Sequence, residues 1–133
     1  MSIVGIGTDL VAIERLAAMQ AEYGERLAVR LLAASEMPAY QSALAAGSAA
    51  AAALLARRFA AKEAGAKALG CGIGAEAGFH DLVIGHDERG APALRLTGRA
   101  ARRAAHLGVA RSHLSISDER DHALAMVVLE GAA

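Results

Sequence analysis

The sequence predicts a single α+β domain, for three reasons. The first half of the chain is rich in alanine and has several helical stretches, the longest over residues 49–69. The second half alternates short apolar segments with turn residues, which is typical of antiparallel strands. The length of 133 residues suits one compact domain, 1–133, and no linker or repeat divides it. A helical half followed by a mostly antiparallel half indicates α+β rather than α/β.

The first half is predicted to begin with a strand at residues 3–7, which form a short apolar stretch bounded by glycines. Either Thr8 or Asp9 would then cap a first helix that runs towards Tyr23, since both residue types are common N-caps. The later helices of this half are expected at residues 26–32 and at 49–69, and Gly70 would end the second of these. A short helix between them would begin at Glu36 and Pro38.

The second half is predicted to contain four strands and one helix. Thr97 would cap that helix, which runs through Ala105 and stops at Gly108. The strands are expected at residues 79–84, 92–97, 113–117 and 123–129, with turn residues at 87–90 and 118–121.

The composition excludes several classes of protein. With 14 basic and 14 acidic residues the formal charge is zero, which argues against a protein that binds nucleic acids or membrane surfaces. Cys71 is the only cysteine, so no intrachain disulfide is possible, and the absence of a signal peptide or apolar span favours a cytoplasmic location. Because only 3% of the residues are aromatic, we expect a neighbouring subunit to complete the small core.

Asp9 is the first candidate for a functional side chain. It follows Gly5 and Gly7, which would let the backbone approach a ligand closely. The simpler interpretation of this segment, taken alone, is that Asp9 is an N-cap.

The long helix carries the second group of candidates. Glu63 and Lys67 lie four residues apart and therefore share a face, with Arg58 and Lys62 on the adjacent ridge. An exposed helix with i,i+4 ion pairs would explain these charges. However, residues 57–67 carry four cations, Arg57 included, around a single carboxylate, which favours a polyphosphate partner. The helix also leads into a glycine-rich loop, 70–74, whose amides are suited to approach a ligand.

Asp9 and Glu63 together suggest a magnesium site. Mg²⁺ usually takes one or two protein carboxylates, and phosphate oxygens and water complete its shell. The cations of the helix would suit a diphosphate bound to that ion. A zinc site is disfavoured, because one cysteine and scattered histidines provide no ligand cluster.

His113 and Ser115 form the third group. Strand alternation would place His113, Ser115 and Ser117 on one face, with Leu114 and Ile116 on the other. A solvent-facing polar edge explains this pattern equally well.

In order and spacing these segments resemble the holo-(acyl carrier protein) synthase family of 4′-phosphopantetheinyl transferases. The matching stretches are Gly-Ile-Gly-Thr-Asp-Leu-Val-Ala-Ile-Glu-Arg at 5–15, Arg-Phe-Ala-Ala-Lys-Glu-Ala-Gly-Ala-Lys at 58–67, Gly-Ala-Pro at 90–92 and His-Leu-Ser-Ile-Ser at 113–117. The resemblance implies the fold of that family, a mostly antiparallel sheet packed against a long helix. It also implies transfer of 4′-phosphopantetheine from coenzyme A to a serine of apo acyl carrier protein, with release of adenosine 3′,5′-bisphosphate.

The resemblance assigns roles to individual residues. Asp9 and Glu63 match the Mg²⁺ ligands, and Lys67 matches a lysine at the diphosphate; these three would be the catalytic residues. Residues that match contacts to coenzyme A are Arg58, Lys62, Lys67, Gly70, Gly72, Gly90, Pro92, His113 and Ser115. Those that match the surface for the acyl carrier protein are Arg15, Met19, Arg26 and Arg30.

Members of this family are usually homotrimers with active sites between subunits. The resemblance leaves the proton acceptor open between Glu63 and a water on the metal. It gives no role to Asp118, where many relatives have a histidine nearby. Two rival functions are a non-catalytic trimeric module that binds carrier protein or nucleotide, and a small Mg²⁺-dependent phosphohydrolase. Retention of both Asp9 and Glu63 argues against the first. The second leaves the helix with Arg26 and Arg30 unexplained.

Overall fold

The computed structural model describes residues 1–132 and confirms the α+β class. The helices within this range are α1 (Ile13–Tyr23), α2 (Glu25–Leu31), α3 (Met37–Ala46), α4 (Ser48–Ala68) and α5 (Gly98–Leu107). The strands are β1 (Ile3–Ala12), β2 (Leu82–His86), β3 (Pro92–Leu96), β4 (Val109–Asp118) and β5 (His122–Gly131). Short 3-10 turns at Ala34–Glu36 and Phe79–Asp81 precede α3 and β2.

All strand pairs are antiparallel and form two sheets. One sheet has the order β1-β5-β4, and the other is the β2–β3 hairpin. The inner face of the larger sheet packs on α4, whose buried residues are mostly alanines. Because alanine side chains are short, the helix axis lies close to the strands, and the core forms from leucine and alanine with few aromatic rings.

The first strand is longer than predicted, and the expected N-cap is wrong. β1 continues through Thr8 and Asp9 to Ala12, because its pairing with β5 extends to the partners Asp9 with Ala125 and Ala12 with His122. α1 begins only at Ile13, and its N-cap makes no side-chain hydrogen bond. Asp9 therefore lies within a strand rather than at its end.

Gly5 and Gly7 serve the packing of β1 on α4 and not the approach of a ligand. A Cβ atom at Gly7 would lie 2.7 Å from Ala68 N and closer still to the carbonyl oxygen of Ala64. A Cβ atom at Gly5 would meet the carbonyl group of Ala68 in the same way. Only glycine permits this contact between backbones, which fixes the position of Asp9, two residues further along β1.

We expect Gly7→Ala to lower the free energy of unfolding by about 3 kcal/mol or more, because the new methyl group overlaps backbone atoms that cannot rotate away. Urea unfolding measures this loss. Gly85→Ala is a matched control, since Gly85 also lies in a strand and has nothing within 4 Å of an added Cβ. If the two variants are equally stable, the strand–helix contact is not as tight as described.

Two smaller expectations also change. The predicted strand at 79–84 is a 3-10 turn followed by β2, so only its second part is extended. Thr97 does precede α5, but its hydroxyl donates to the carbonyl oxygen of Asp81 at 3.2 Å and accepts no hydrogen bond from the helix. The predicted strands around 113–117 and 123–129 are confirmed and are longer, as β4 and β5.

Across residues 1–132, no helix combines the length and the apolar composition that a membrane crossing requires.

Candidate active site

Lys67 contacts Asp9 where β1 crosses α4, and Glu63 lies near enough for the charges of both to affect its pKa. Lys67 Nζ donates to Asp9 Oδ1 at 3.1 Å and to the carbonyl oxygen of Thr8 at 2.9 Å. The Lys67 side chain is 50% exposed, whereas that of Asp9 is 16% exposed. The strand thus supplies a mostly covered carboxylate, and the helix brings a carboxylate and an accessible ammonium group to it. The prediction that Asp9 and this face of the helix share one site is consistent with this placement.

The charges of this site are incompletely balanced. Asp9 Oδ2 is buried and has no hydrogen-bond partner among residues 1–132. A buried carboxylate oxygen without a partner is costly, and such groups in native proteins commonly indicate an ion or water. Burial raises the pKa of Glu63 above its usual range, and the charge of Asp9 adds to this effect, while Lys67 and Arg15 oppose it. A cation bound between the two carboxylates would satisfy the unpartnered oxygen of Asp9 and favour the ionised form of Glu63.

Mg²⁺ fits this donor set. The described residues contain no group of three or more histidine, cysteine, aspartate and glutamate side chains that is arranged to hold a metal ion. Two carboxylates alone are too few for a structural zinc site but are the usual protein contribution to a magnesium site. Asp9 and Glu63 would be the protein ligands.

The raised pKa of Glu63 predicts a pH-dependent response to Mg²⁺. The carboxyl group must lose its proton before it binds a cation, and without a cation its ionised form is unfavourable in the fold. Because the folded-state pKa is raised, this cost appears as the pH rises through that pKa, and bound Mg²⁺ removes it. We expect Mg²⁺ to raise the melting temperature at pH 8 and to lose this effect as the pH falls, before the ordinary carboxyl value of 4.5 is reached.

Thermal melts with and without Mg²⁺ across this pH range test the prediction. In Glu63→Gln, Mg²⁺ should give little stabilisation at any pH. A stabilisation of unchanged size at pH 4.5 would contradict the assignment of Glu63 as a ligand.

Arg58 and Lys62 do not lie with Lys67 in this site. The simpler explanation of these charges, an exposed helix, does not apply to this pair, because Arg58 is 7% exposed and Lys62 is fully buried. Both bind Glu36, which is itself buried: Arg58 Nη1 lies 3.0 Å from Glu36 Oε1, and Lys62 Nζ lies 2.6 Å from Glu36 Oε2. Arg58 also donates to the carbonyl oxygen of Ile84, and Lys62 to that of Phe79. These contacts hold α4 against Glu36, which precedes α3, and against β2 and the turn before it. In this geometry neither cation is presented to a phosphate.

Sequence reasoning missed Glu36 as a partner of α4. The excess of cations in 57–67 was a usable signal, because buried cations require a carboxylate from elsewhere in the chain. Burial lowers the pKa of Lys62, although the hydrogen bond and the charge of Glu36 oppose this shift.

The glycine-rich loop after α4 is held by two arginines of α5. Gly70 and Gly72 both have positive φ, 75° and 68°. Arg103 Nε donates to the carbonyl oxygen of Leu69 at 3.0 Å, and Arg99 Nη1 donates to that of Ala75 at 3.1 Å. The loop therefore has a defined path that begins one turn after Lys67.

His113 and Ser115 lie on the other face of the large sheet. As predicted, Leu114 and Ile116 point towards the core, while His113 and Ser115 are exposed. Asp9 is on the inner face, in line with the buried Val11. The outer face also carries an apolar patch, formed by the exposed side chains Ile6, Leu10, Leu124 and Met126.

Gly90 and Pro92, the other residues predicted to contact coenzyme A, also lie apart from Asp9 within one subunit. Gly90 and Pro92 belong to the β2–β3 hairpin, and no hydrogen bond or ion pair among residues 1–132 links them to Asp9, Glu63 or Lys67.

The residues that match the carrier-protein surface divide between two places. The guanidinium group of Arg15 lies 5.3 Å from the centre of the Phe59 ring, and its charge opposes the rise in the pKa of Glu63. Met19, Arg26 and Arg30 line a groove of about 560 Å³ beside α1 and α2, together with the apolar side chains of Tyr23 and Val29. The groove therefore combines apolar walls with two cations.

Comparisons with known proteins agree with this architecture over nearly the whole chain. Residues 5–127 match the 4′-phosphopantetheinyl transferase superfamily. A holo-(acyl-carrier-protein) synthase of Alkalilimnicola ehrlichii is 52% identical over 130 residues, 98% of each chain, and that of Halorhodospira halophila is 50% identical over 127 residues, 96% of this chain and 97% of the relative.

Solved structures agree equally well. The holo-(acyl-carrier-protein) synthase from Neisseria meningitidis superposes with a TM-score of 0.87 at 38% identity and covers 97% of this chain and 99% of that one. The synthase from Helicobacter pylori in complex with coenzyme A gives a TM-score of 0.79 at 29% identity, over 94% and 99% of the two chains. This chain belongs to the holo-(acyl-carrier-protein) synthase family of the 4′-phosphopantetheinyl transferase superfamily.

Proposed function

We propose that this enzyme carries out its phosphopantetheinyl transfer as a Mg²⁺-dependent reaction at Asp9, Glu63 and Lys67, with coenzyme A as the donor and a serine of apo acyl carrier protein as the acceptor. The observation that supports this most directly is the buried Asp9 Oδ2 without a partner, next to Glu63 with its raised pKa and the accessible ammonium group of Lys67. The second product would be adenosine 3′,5′-bisphosphate.

The reaction needs alignment and charge stabilisation more than covalent chemistry. The serine oxygen attacks the β-phosphorus of coenzyme A and forms a new O–P bond, and the bond from that phosphorus to the bridging oxygen breaks. The leaving oxygen stays with the adenosine bisphosphate. The serine proton passes to Glu63 or to water. Bound Mg²⁺ would hold the diphosphate and offset its charge.

Lys67 is the chain's own contribution to the leaving side. Two of its three N–H bonds are directed at Asp9 and the carbonyl oxygen of Thr8, which fixes the position of the ammonium group. The third N–H is free to donate to a phosphate oxygen, since the side chain is half exposed. A fixed cation beside the bridging oxygen stabilises the charge that develops there.

The proposed nucleotide contacts require more than one subunit. Asp9 lies on the inner face of the large sheet and His113 and Ser115 on the outer face, so one molecule of coenzyme A cannot reach both within a single chain. The outer face also exposes 58% of Ile6 and 65% of Leu10, an apolar surface suited to cover by another subunit. A homotrimer, as the family resemblance implies, would place the outer face of one subunit beside the inner site of the next.

We expect native mass spectrometry at micromolar concentration to detect a trimer. Leu10→Arg should dissociate it, because the charge would be buried in the interface. Val29→Arg is a control, since Val29 is also exposed but lies on α2, away from the sheet. A monomer in the unaltered protein would contradict the shared-site arrangement.

The groove beside α1 and α2 is the proposed surface for the acyl carrier protein. Arg26 and Arg30 would bind an acidic partner, while Met19 and Val29 would contact its apolar side chains. A cytoplasmic location agrees with this partner.

The proposed function is tested by incubating the enzyme with apo acyl carrier protein, coenzyme A and Mg²⁺ and by measuring the mass of the carrier protein. We expect a gain of one phosphopantetheine group, which chelation of Mg²⁺ should prevent. A carrier protein whose acceptor serine is replaced by alanine is the control. No gain in mass would overturn the enzymatic proposal, and a gain that survives chelation would overturn the magnesium requirement.

A further inference from the structure

Glu130 and His113 form a pair on the outer face of the large sheet, and Glu130 has no part in the proposed reaction. Glu130 Oε1 contacts His113 Nε2, and Arg111 Nε lies 3.7 Å from the same oxygen. The register explains the contact: Arg111 is directly opposite Glu130 on the neighbouring strand, and His113 is diagonal to it. On the other side of β5 the neighbour of Glu130 is the apolar Ile3. Among residues 1–132, the charged side chains that contact this carboxylate are therefore those of two residues of β4.

The two members of the pair differ in accessibility. The side chain of Glu130 is 16% exposed, whereas that of His113 is 55% exposed. The carboxylate is thus mostly covered and the imidazole is open to a ligand. The hydrogen bond with His113 is the main reason why the pKa of Glu130 is lowered, so the carboxylate stays ionised as an acceptor.

This contact decides which atom of His113 faces outwards. An ionised carboxylate only accepts hydrogen bonds, so Nε2 must carry the proton that it donates to Glu130. Nδ1 is then the ring nitrogen that is left for a ligand. The charge of Arg111, whose Nε lies 3.7 Å from the same oxygen, also favours the ionised carboxylate at this position.

We propose that Glu130 is a positioning residue for coenzyme A binding: it holds the His113 ring so that Nδ1 contacts the nucleotide part of coenzyme A in the site shared with a neighbouring subunit. This inference rests on the proposed role of His113 in the nucleotide pocket. It adds a residue that touches neither the metal site nor the reacting phosphorus. Glu130 therefore acts on the binding of coenzyme A and not on the chemical step.

Steady-state kinetics with variants of Glu130 test this inference. Glu130→Ala should raise the KM for coenzyme A by about three- to tenfold, the effect of losing one orienting hydrogen bond, and should leave kcat unchanged. Glu130→Gln should stay within about twofold of the unaltered enzyme, because His113 donates here and the amide oxygen of glutamine can accept that hydrogen bond. This rescue by glutamine separates orientation of the ring from a general effect on the fold.

Variants of His113 test which ring nitrogen contacts coenzyme A and whether the effect of Glu130 depends on His113. Asparagine places its polar atoms near the position of Nδ1, and glutamine near that of Nε2, so His113→Asn should retain more affinity for coenzyme A than His113→Gln. In a His113→Ala background, Glu130→Ala should have no further effect on KM, as expected for residues that act as one unit.

The outcomes separate this inference from the proposed function. If His113→Ala raises KM but Glu130→Ala does not, the positioning role of Glu130 is overturned and the nucleotide contact of His113 stands. If His113→Ala leaves KM unchanged, the nucleotide contact and the inference both fail, while transfer at Asp9 and Glu63 is unaffected. An equal rise in KM for Glu130→Ala and Glu130→Gln would also overturn the orienting hydrogen bond.

Discussion

Glu63→Ala and Glu63→Gln should each reduce phosphopantetheinyl transfer by about 10³-fold or more while the protein stays folded. Either change removes one of the two carboxylates of the proposed magnesium site, and loss of about 4 kcal/mol of electrostatic stabilisation in the transition state corresponds to this factor. The fold should not be destabilised, because burial makes the ionised form of Glu63 unfavourable and so raises its pKa. Without Mg²⁺, Glu63→Gln should therefore melt at the same temperature as the unaltered enzyme or higher.

The measurement is the initial rate of mass gain of the carrier protein at saturating coenzyme A, together with a thermal melt. Glu119→Gln is the matched control, since Glu119 is exposed in the turn between β4 and β5 and forms no ion pair with any residue of 1–132. It should leave both the rate and the melting temperature unchanged. Normal turnover of Glu63→Gln would mean that the metal site lies elsewhere.

Much of this site could be predicted from the sequence, because its parts follow local rules. Helical spacing places Glu63 and Lys67 on one face, and strand alternation separates His113 from Leu114. The meeting of Asp9 with that helix followed from the ordered resemblance and not from spacing, because Asp9 and Lys67 are 58 residues apart. Long-range contacts of this kind depend on strand pairing, which a short motif does not encode.

The roles of Gly5 and Gly7 were misjudged for a similar reason. A glycine near an aspartate is equally consistent with a ligand and with a close backbone neighbour, and only the fold identifies that neighbour as α4. The length of β1 was misjudged as well, because Thr8 and Asp9 are good N-caps in isolation. Pairing with β5 outweighs that local preference and carries the strand on to Ala12.

Arg58 and Lys62 mark the limit of reasoning from charge. Their excess over nearby carboxylates was read as a sign of phosphate, whereas their partner is Glu36, 22 and 26 residues away. A buried cluster and a polyphosphate site require the same surplus of cations on a helix. The two differ in burial, which depends on how residues 33–37 and β2 pack against α4.

Glu36→Ala is the substitution expected to damage the fold most. It would leave the fully buried Lys62 and the nearly buried Arg58 without their carboxylate, and breaking a buried ion pair in this way costs about 3–5 kcal/mol. That loss is a large part of the 5–15 kcal/mol that stabilises a typical domain. Urea unfolding measures it, and Asp118→Ala is the control. Asp118 pairs with Arg57 at the surface, so its removal should cost about 1 kcal/mol or less.

The pH dependence of the Glu36→Ala variant identifies the cause of the loss. Burial lowers the pKa of Lys62, and removal of Glu36 takes away the hydrogen bond and the charge that oppose this shift. The unfolded chain then binds one more proton than the folded chain in the interval between the two pKa values of Lys62, so stability rises with pH across that interval. The deficit of Glu36→Ala should therefore shrink as the pH rises. In the double variant Glu36→Ala/Lys62→Met the loss of stability should be smaller than in Glu36→Ala at every pH, because no lysine charge remains to be buried. A deficit that stays within about 1 kcal/mol, or that is independent of pH and of Lys62, would mean that the buried charges do not hold α4 in place.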